Sequence, residues 1–278
     1  MLDDGRDVTS LLKALPPLTL PLELVALRDL GAAINLADHW PVVHVIAIPI
    51  EHARLAIDAL PAFEGVFVNL GVAALVWLDA TLPPAMPITL VLSPEELGTS
   101  SAFAYAWGDR ITNVIVRGAT VRKDPMPDML GRCVNVQSVL IEANFVPVDK
   151  YVDALSTKQL HALQLDDMGQ NTVDASGIVA RLEEPRATTL SLTCNSVRDP
   201  APLATAIQDC SHLTSLRLGD ALDVKAASVS LHHVTSLAIL DNGFDDRLPV
   251  GPLRKLDRSK VVSFLLEHDV GDEGDEIP

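Results

Sequence analysis

The chain has 278 residues, with 37 Asp or Glu against 21 Lys or Arg, a formal net charge of −16 and a sequence pI of about 4.7. A field of that sign repels phosphate backbones, and no Lys/Arg-rich stripe offsets it locally, so nucleic acid is not an expected partner. Only six Phe, three Trp and two Tyr accompany the many aliphatic residues, which suits thin layers of Leu, Val, Ile and Ala better than one thick globular core.

From the N-terminus, Met1 to Asp7 carries no basic region leading into a long apolar one, so no secretory signal is expected. No charge-free and proline-free apolar run approaches the roughly 18 residues of a membrane span. Cys133, Cys194 and Cys210 are too few and too scattered for a disulfide framework. The expectation is a soluble, reduced, cytoplasmic chain, the nucleus being the unexcluded alternative, and no membrane contact. Residues 1–42 are expected to be a helical cap, because a stack of repeats must shield the open end of its core.

From Val43 onward one short pattern recurs: apolar, two residues, apolar, one residue, apolar. In chain order the copies are Val43-Ile46-Ile48, Phe63-Val66-Val68, Pro87-Leu90-Leu92, Ile111-Val114-Val116 and Val136-Val139-Ile141. They continue as Leu160-Leu163-Leu165, Ala187-Leu190-Leu192, Leu213-Leu216-Leu218, Val234-Leu237-Ile239 and Val261-Phe264-Leu266. Measured between the middle residues, the intervals are 20, 24, 24, 25, 24, 27, 26, 21 and 27. An apolar-x-apolar pair is a short strand with both side chains on one side. Asn144, Asn195 and Asn242 then fall three residues beyond the strand, where a side-chain amide can satisfy the backbone of a sharp turn.

Between the strands, helices are expected. Ala53, Ile57 and Leu60 mark an early one; Asp124-Pro125 opens another that reaches Met129 and Cys133. Asp174 caps a helix carrying Ile178 and Leu182, and Asp199-Pro200 gives a cap and a first-turn proline ahead of Leu203, Ile207 and Cys210. Strand, turn, helix and return in about two dozen residues is one coil of a solenoid, which needs neighbours to bury its apolar face. No linker divides the array from 43 to 268, which is therefore expected to be one domain. Residues 269–278 are acidic and glycine-containing and read as a disordered tail.

These residues resemble the leucine-rich repeats of the ribonuclease-inhibitor-like superfamily over about Val43 to Leu266. Cys133-x-x-Val136-x-x-Val139-x-Ile141 and Cys210-x-x-Leu213-x-x-Leu216-x-Leu218 further resemble the cysteine-containing subtype found in F-box proteins. That resemblance implies an α/β horseshoe with a parallel concave sheet. It also implies buried, inert cysteines and, as one alternative, a substrate-recognition subunit of a cullin–RING ubiquitin ligase with a ligase adaptor subunit as partner. Leu20-Pro21-Leu22-Glu23-Leu24 is similar to the opening of an F-box and Leu36-Ala37-Asp38-His39-Trp40 to its close. The spacing between them is too short for the full three-helix module, so a worn or missing F-box and a plain helical cap both stand.

Catalytic signals are lacking: no phosphate-binding glycine loop, no nucleophile elbow and no metal-spaced cluster. His232 and His233 would point apart on a strand and so could not share a metal. Asp166-Asp167 and Asp245-Asp246 follow strands, where carboxylates usually serve turns. No cofactor, no metal and no enzyme activity is expected, a cryptic α/β enzyme being the remaining alternative.

The expected function is protein–protein interaction through the concave sheet face. Residues between the two strand apolars point there: Ala47, Phe67, Val91, Ile115, Leu140, Gln164, Ser191, Arg217, Ala238 and Leu265. Phe67, Val91, Ile115 and Leu140 would form an exposed apolar stripe, rimmed by Asn69, Ser93, Arg117, Glu142 and Asp166. The partner-binding set is Phe67, Val91, Ile115, Leu140, Arg117, Glu142, Asp166, Gln164 and Arg217.

Overall fold

Short apolar-x-apolar segments become parallel strands in the computed structural model, and amphipathic segments between them become helices. Residues 4–69, 81–92, 107–117, 126–142, 148–155, 159–166, 172–193, 196–219, 231–241 and 263–268 are described. The chain forms two compact units, residues 1–115 with 132–136, and residues 116–131 with 137–278. The division falls inside a strand, at Ile115–Val116.

In the first unit, helix α1 (Gly5–Ala14) starts at Asp4, whose carboxylate accepts from the Arg6 N–H at 2.7 Å. Val8 and Leu12, four apart, are its buried apolar face. Helix α2 (Leu22–Ala33) buries Ala26, Leu27 and Leu30. A Cβ on Gly5 would lie 2.8 Å from the Cα of Ala37, so only glycine allows α1 to sit against the turn at Leu36–Asp38. Both helices precede the first strand in the chain.

Strands β1 (Val42–His44), β2 (Gly65–Asn69), β3 (Ile88–Leu92) and β4 (Ile111–Arg117) are hydrogen-bonded in chain order, and helix α3 (Ala53–Ala59) lies between β1 and β2 in sequence. The pairing differs from the spacing-based expectation. Val43, not Ile46, pairs with Val66, because the strand ends at His44 and Val45–Ala47 curl into a 3-10 turn ahead of Pro49. Val66 pairs with Ile88, and it is Val68 that faces Leu90. The Val66 N–H donates to Pro87 O at 3.0 Å, which fixes this register. A slip of two residues keeps every side chain on its original face. Val66, Val68, Ile88, Leu90 and Leu92 are accordingly all buried.

In the second unit the strands β5 (Ser138–Glu142), β6 (Ala162–Asp166), β8 (Thr189–Leu192), β10 (Ser215–Leu218), β11 (Ser236–Asp241) and β12 (Ser263–His268) are neighbours in that order and parallel. Here the spacing is followed. Val139, Leu163, Leu190, Leu216, Leu237 and Phe264 form one transverse row. A separate parallel pair joins β7 (Thr172–Asp174) and β9 (Ser196–Arg198). Helices α4 (Met126–Leu130), α5 (Asp149–Ala154), α6 (Ala175–Leu182) and α7 (Pro200–Asp209) fall between the strands in sequence. Ile178 and Leu182 of α6 reach Leu163 and Leu190 of the sheet, so the core lies between these two layers.

A staircase of backbone bonds ties one strand entry to the next. Gln137 O accepts from His161 and Ala162, His161 O from Thr188 and Thr189, Thr188 O from Thr214 and Ser215, and Thr214 O from Thr235 and Ser236, at 2.7–3.0 Å. The hydroxyls of Thr188, Thr214 and Thr235 donate to the same carbonyls at 3.2, 3.3 and 3.1 Å. Each strand is thereby indexed to its predecessor before its own ladder begins.

Two caps behave differently. Asp174 caps α6 as expected, accepting from Ser176 N–H at 2.9 Å. Asp199 stands at the α7 cap position but makes no side-chain cap bond. Its backbone is left-handed (φ 51°, ψ 68°), absorbing the reversal from β9 into Pro200, a conformation Asp tolerates better than most residues. Cys133 lies beyond α4 rather than within it.

Truncating Leu190 to Ala, at the centre of the long row, is expected to cost about 2–5 kcal/mol of unfolding free energy. Replacing Thr235 by Val removes one hydroxyl bond and is expected to cost about 0.5–1.5 kcal/mol. Urea titrations with an unchanged slope would separate the two magnitudes.

Candidate functional site

The face of each sheet turned away from the helices is the surface on which function was sought, and alternation decides who lies there. In the first unit the pairing aligns His44, Phe67 and Thr89 in one row. The His44 and Phe67 rings stack at 4.5 Å and 15°. Asn113 extends the row, its Nδ2 donating to Thr89 Oγ1 at 3.2 Å. Phe67 is thus beside Thr89, one rung away from Val91, which pairs with Asn69.

The expected four-residue apolar stripe is corrected on that point. Phe67 and Ile115 are half-buried, as is Leu140 in the second unit, but Val91 is only 1% exposed. Buried on an inner strand and paired with Asn69, its side chain offers no contact area. Ala47 is exposed in the 3-10 turn after β1 and is not on the sheet.

His39 is the feature of this unit that the sequence reading missed. It is 5% exposed, and its ring meets His44 edge-on at 6.0 Å. Burial, then the neighbouring His44, hold its pKa below the ordinary imidazole value, with Asp38 opposing. The signal available was two histidines five residues apart flanking Trp40-Pro41, which periodicity does not weigh.

In the second unit the register assembles most of the expected partner-binding residues. Leu140, Gln164, Ser191, Arg217 and Ala238 form one row across five strands. Leu140 and Gln164 are half-buried and Arg217 is exposed, whereas Ser191, shorter than both its neighbours, is buried. Glu142 and Asp166 pair in the next row outward. Arg117 Nε lies 2.8 Å from Glu142 Oε2, with both side chains well exposed, and Thr193 Oγ1 donates to Asp166 Oδ1 at 2.7 Å. The rim therefore carries a guanidinium, two adjacent carboxylates and a hydroxyl in sequence.

Chemistry of other kinds is weaker. His232 and His233 occupy a turn before β11, not a strand, and their rings meet edge-on at 5.2 Å, a correction to the expected divergence. Burial, then His232, lower the His233 pKa against a weak opposing interaction with the Ile207 backbone. No group of three or more metal-capable side chains occurs among the described residues. A groove of about 390 Å³ is lined by Asp174, Ser176, Glu183, Arg198 and Asp199, among others. Three of its polar groups are engaged with one another: Asp174 accepts from the Ser176 N–H, capping α6, and lies 3.6 Å from Arg198. Burial pushes the Cys133 thiol up to about 12, and Cys210 Sγ donates to Ala187 O at 3.8 Å. Asn144, Asn195, Asn242, Ser93, Cys194, Asp167, Asp245 and Asp246 lie outside the described residues.

In a Cys194→Ser background, Cys133 and Cys210 are expected to resist a maleimide reagent at neutral pH and to react fully in denaturant, read by mass shift. Both perturbed histidines give a signed pH effect. Because folding depresses their pKa values, the native state binds fewer protons than the unfolded chain as pH falls through and below the ordinary imidazole range. Stability is therefore full above that range and declines beneath it. Thermal melts from about pH 8 to about pH 5 should show this decline, and it should flatten in a His39→Gln, His233→Gln double variant.

No helix among the described residues is long and apolar enough to cross a membrane. No protein-family model matches the chain, and no curated protein or solved structure is significantly similar to it.

Proposed function

We propose that the chain is a leucine-rich-repeat-type solenoid that acts as a non-catalytic scaffold, binding a protein partner on the open sheet face of its second unit. The observation that carries this reading is the register: Leu140, Gln164, Ser191, Arg217 and Ala238 fall in one row, with Glu142 and Asp166 paired in the next. At about 4.8 Å per strand that row is roughly 19 Å long. A row that runs from a half-buried apolar residue to an exposed guanidinium, edged by charges of both signs, has the mixed core-and-rim character of protein interfaces.

The rim supports the same reading energetically. An ion pair as exposed as Arg117 with Glu142 adds little to folding, typically below about 1 kcal/mol. Such groups can exchange their mutual contact for a partner's at small cost. Steering by the chain's strong negative charge favours a partner with a basic surface.

The test compares affinity capture from the native cell by the wild-type chain, Leu140→Asp and Arg217→Glu. Melting temperatures are expected to stay within about 2 °C, since neither change touches the buried row. Captured partners should fall at least roughly tenfold, which corresponds to about 1.4 kcal/mol. Equal capture by all three would overturn the face assignment. A ubiquitin-ligase adaptor recovered by the full chain and lost on removing residues 1–40 would put the adaptor reading in place of the plain scaffold.

A further inference from the structure

Helices α1 and α2 are joined by a tight reversal, and the leucines around it are left in water. The Thr19 N–H and the Thr19 hydroxyl both donate to Pro16 O, at 3.0 and 2.7 Å, which closes the turn. Leu18 is fully exposed and Leu22 78% exposed, with Leu11 and Leu15 at 47% and 38%. Of the six large apolar side chains that stand open among the described residues, four therefore fall within twelve residues of sequence. The helices bury their inner faces without them, through Val8 and Leu12 on α1 and Leu27 and Leu30 on α2. A single exposed leucine is ordinary, but a cluster of this kind marks an interaction surface.

Charge decides what can approach it. From Gly5 to Ala33 the cations are Arg6, Lys13 and Arg28 and the anions Asp7, Glu23 and Asp29, so this segment is neutral within a chain of net charge −16. Arg28 and Asp29 pair with each other at 2.9 Å. Lys13, between Leu11 and Leu15, and Glu23, beside Leu22, form no ion pair with a described residue. We infer that this leucine knob is a self-association surface, and that its occupant is the same knob of a second copy across a two-fold axis. Two acidic chains approach each other at least cost where the local charge is zero. A two-fold arrangement also brings each copy's Lys13 to the other's Glu23, so the patch is its own complement. A lipid surface would ask for several basic residues around the leucines, and Lys13 stands alone there. The open apolar surface is on the order of 500 Å². A pair of copies covers about 1,000 Å² in all, at the lower end of specific interfaces, so the dimer is weak and reversible. The sheet face of the second unit plays no part in it.

The experiment follows the full chain by sedimentation from about 5 to about 500 µM, a range that spans weak dimers. The mass is expected to rise with concentration from 29.8 kDa towards twice that value. Leu18→Asp should weaken the association at least roughly tenfold and leave the melting temperature unchanged, because that side chain is fully exposed. Lys13→Glu should weaken it as well, and adding Glu23→Lys to the same chain, which returns the net charge to its original value, should restore it. A mass of one chain at every concentration sinks the proposal, as does a dimer that Leu18→Asp leaves intact. Failure of the charge exchange to restore association overturns the two-fold pairing.

Discussion

A carbonyl that accepts from two successive N–H groups of the following strand is the contact on which the second unit rests. Thr188 O takes the N–H groups of Thr214 and Ser215, and Thr214 O takes those of Thr235 and Ser236. Doubling the acceptor at one point leaves the entering strand a single register, and the side chain between the two donors is then fixed in direction. Leu216 and Leu218 go inward and Arg217 outward because Ser215 has already been positioned. The threonine hydroxyl donates to the same oxygen as a third, longer contact, at 3.3 Å from Thr214 and 3.1 Å from Thr235.

The buried row and its outward complement were legible because they depend on alternation, and alternation is written directly in the residues. Val139, Leu163, Leu190, Leu216, Leu237 and Phe264 are found side by side where their spacing predicted. The register of β2 against β3 was not legible. Moving Val68 rather than Val66 opposite Leu90 leaves the inward set intact, so hydrophobic pattern is blind to it. What decided it was a backbone bond from Val66 to Pro87, which no side-chain pattern reports. The exposure of Val91 was misread for a related reason. Direction can be taken from sequence, but the height of a neighbour's side chain cannot be taken without the pairing. The threonine at the residue after the first apolar position, seen at Thr112, Thr188, Thr214 and Thr235, was present in the sequence and unweighted. Hydroxyls there bond back to the entry of the preceding strand, so they are informative only once the strand order is known.

Charge is distributed according to what burial allows. Exposed carboxylates are plentiful, and those described serve caps, rims and turns. Among the described residues Arg181 is a buried arginine whose Nη2 donates to Val152 O and Leu155 O, and the half-buried Arg110 repeats its logic in the first unit. Its Nη2 donates to Leu82 O and Pro83 O at 3.1 and 2.8 Å, and its guanidinium lies 5.3 Å from the Trp107 ring centre. In both cases a planar fork bridges two carbonyls of an earlier segment, 26–29 residues back. Arginine suits that task because its donors are rigid and its charge is weakly hydrated.

The doubled acceptor has a consequence for how such a chain can change over time. Because each strand is set by the residue that enters it, the length of the excursion from one strand to the next is not counted by the sheet. Intervals of 21 and 27 residues coexist between neighbouring strands of the same sheet. Insertions and deletions in those excursions can therefore accumulate without disturbing either face, while a single residue gained inside a four-residue strand would turn it inside out. The molecule is elastic in its returns and rigid in its entries, and its lineage is free to remodel the former.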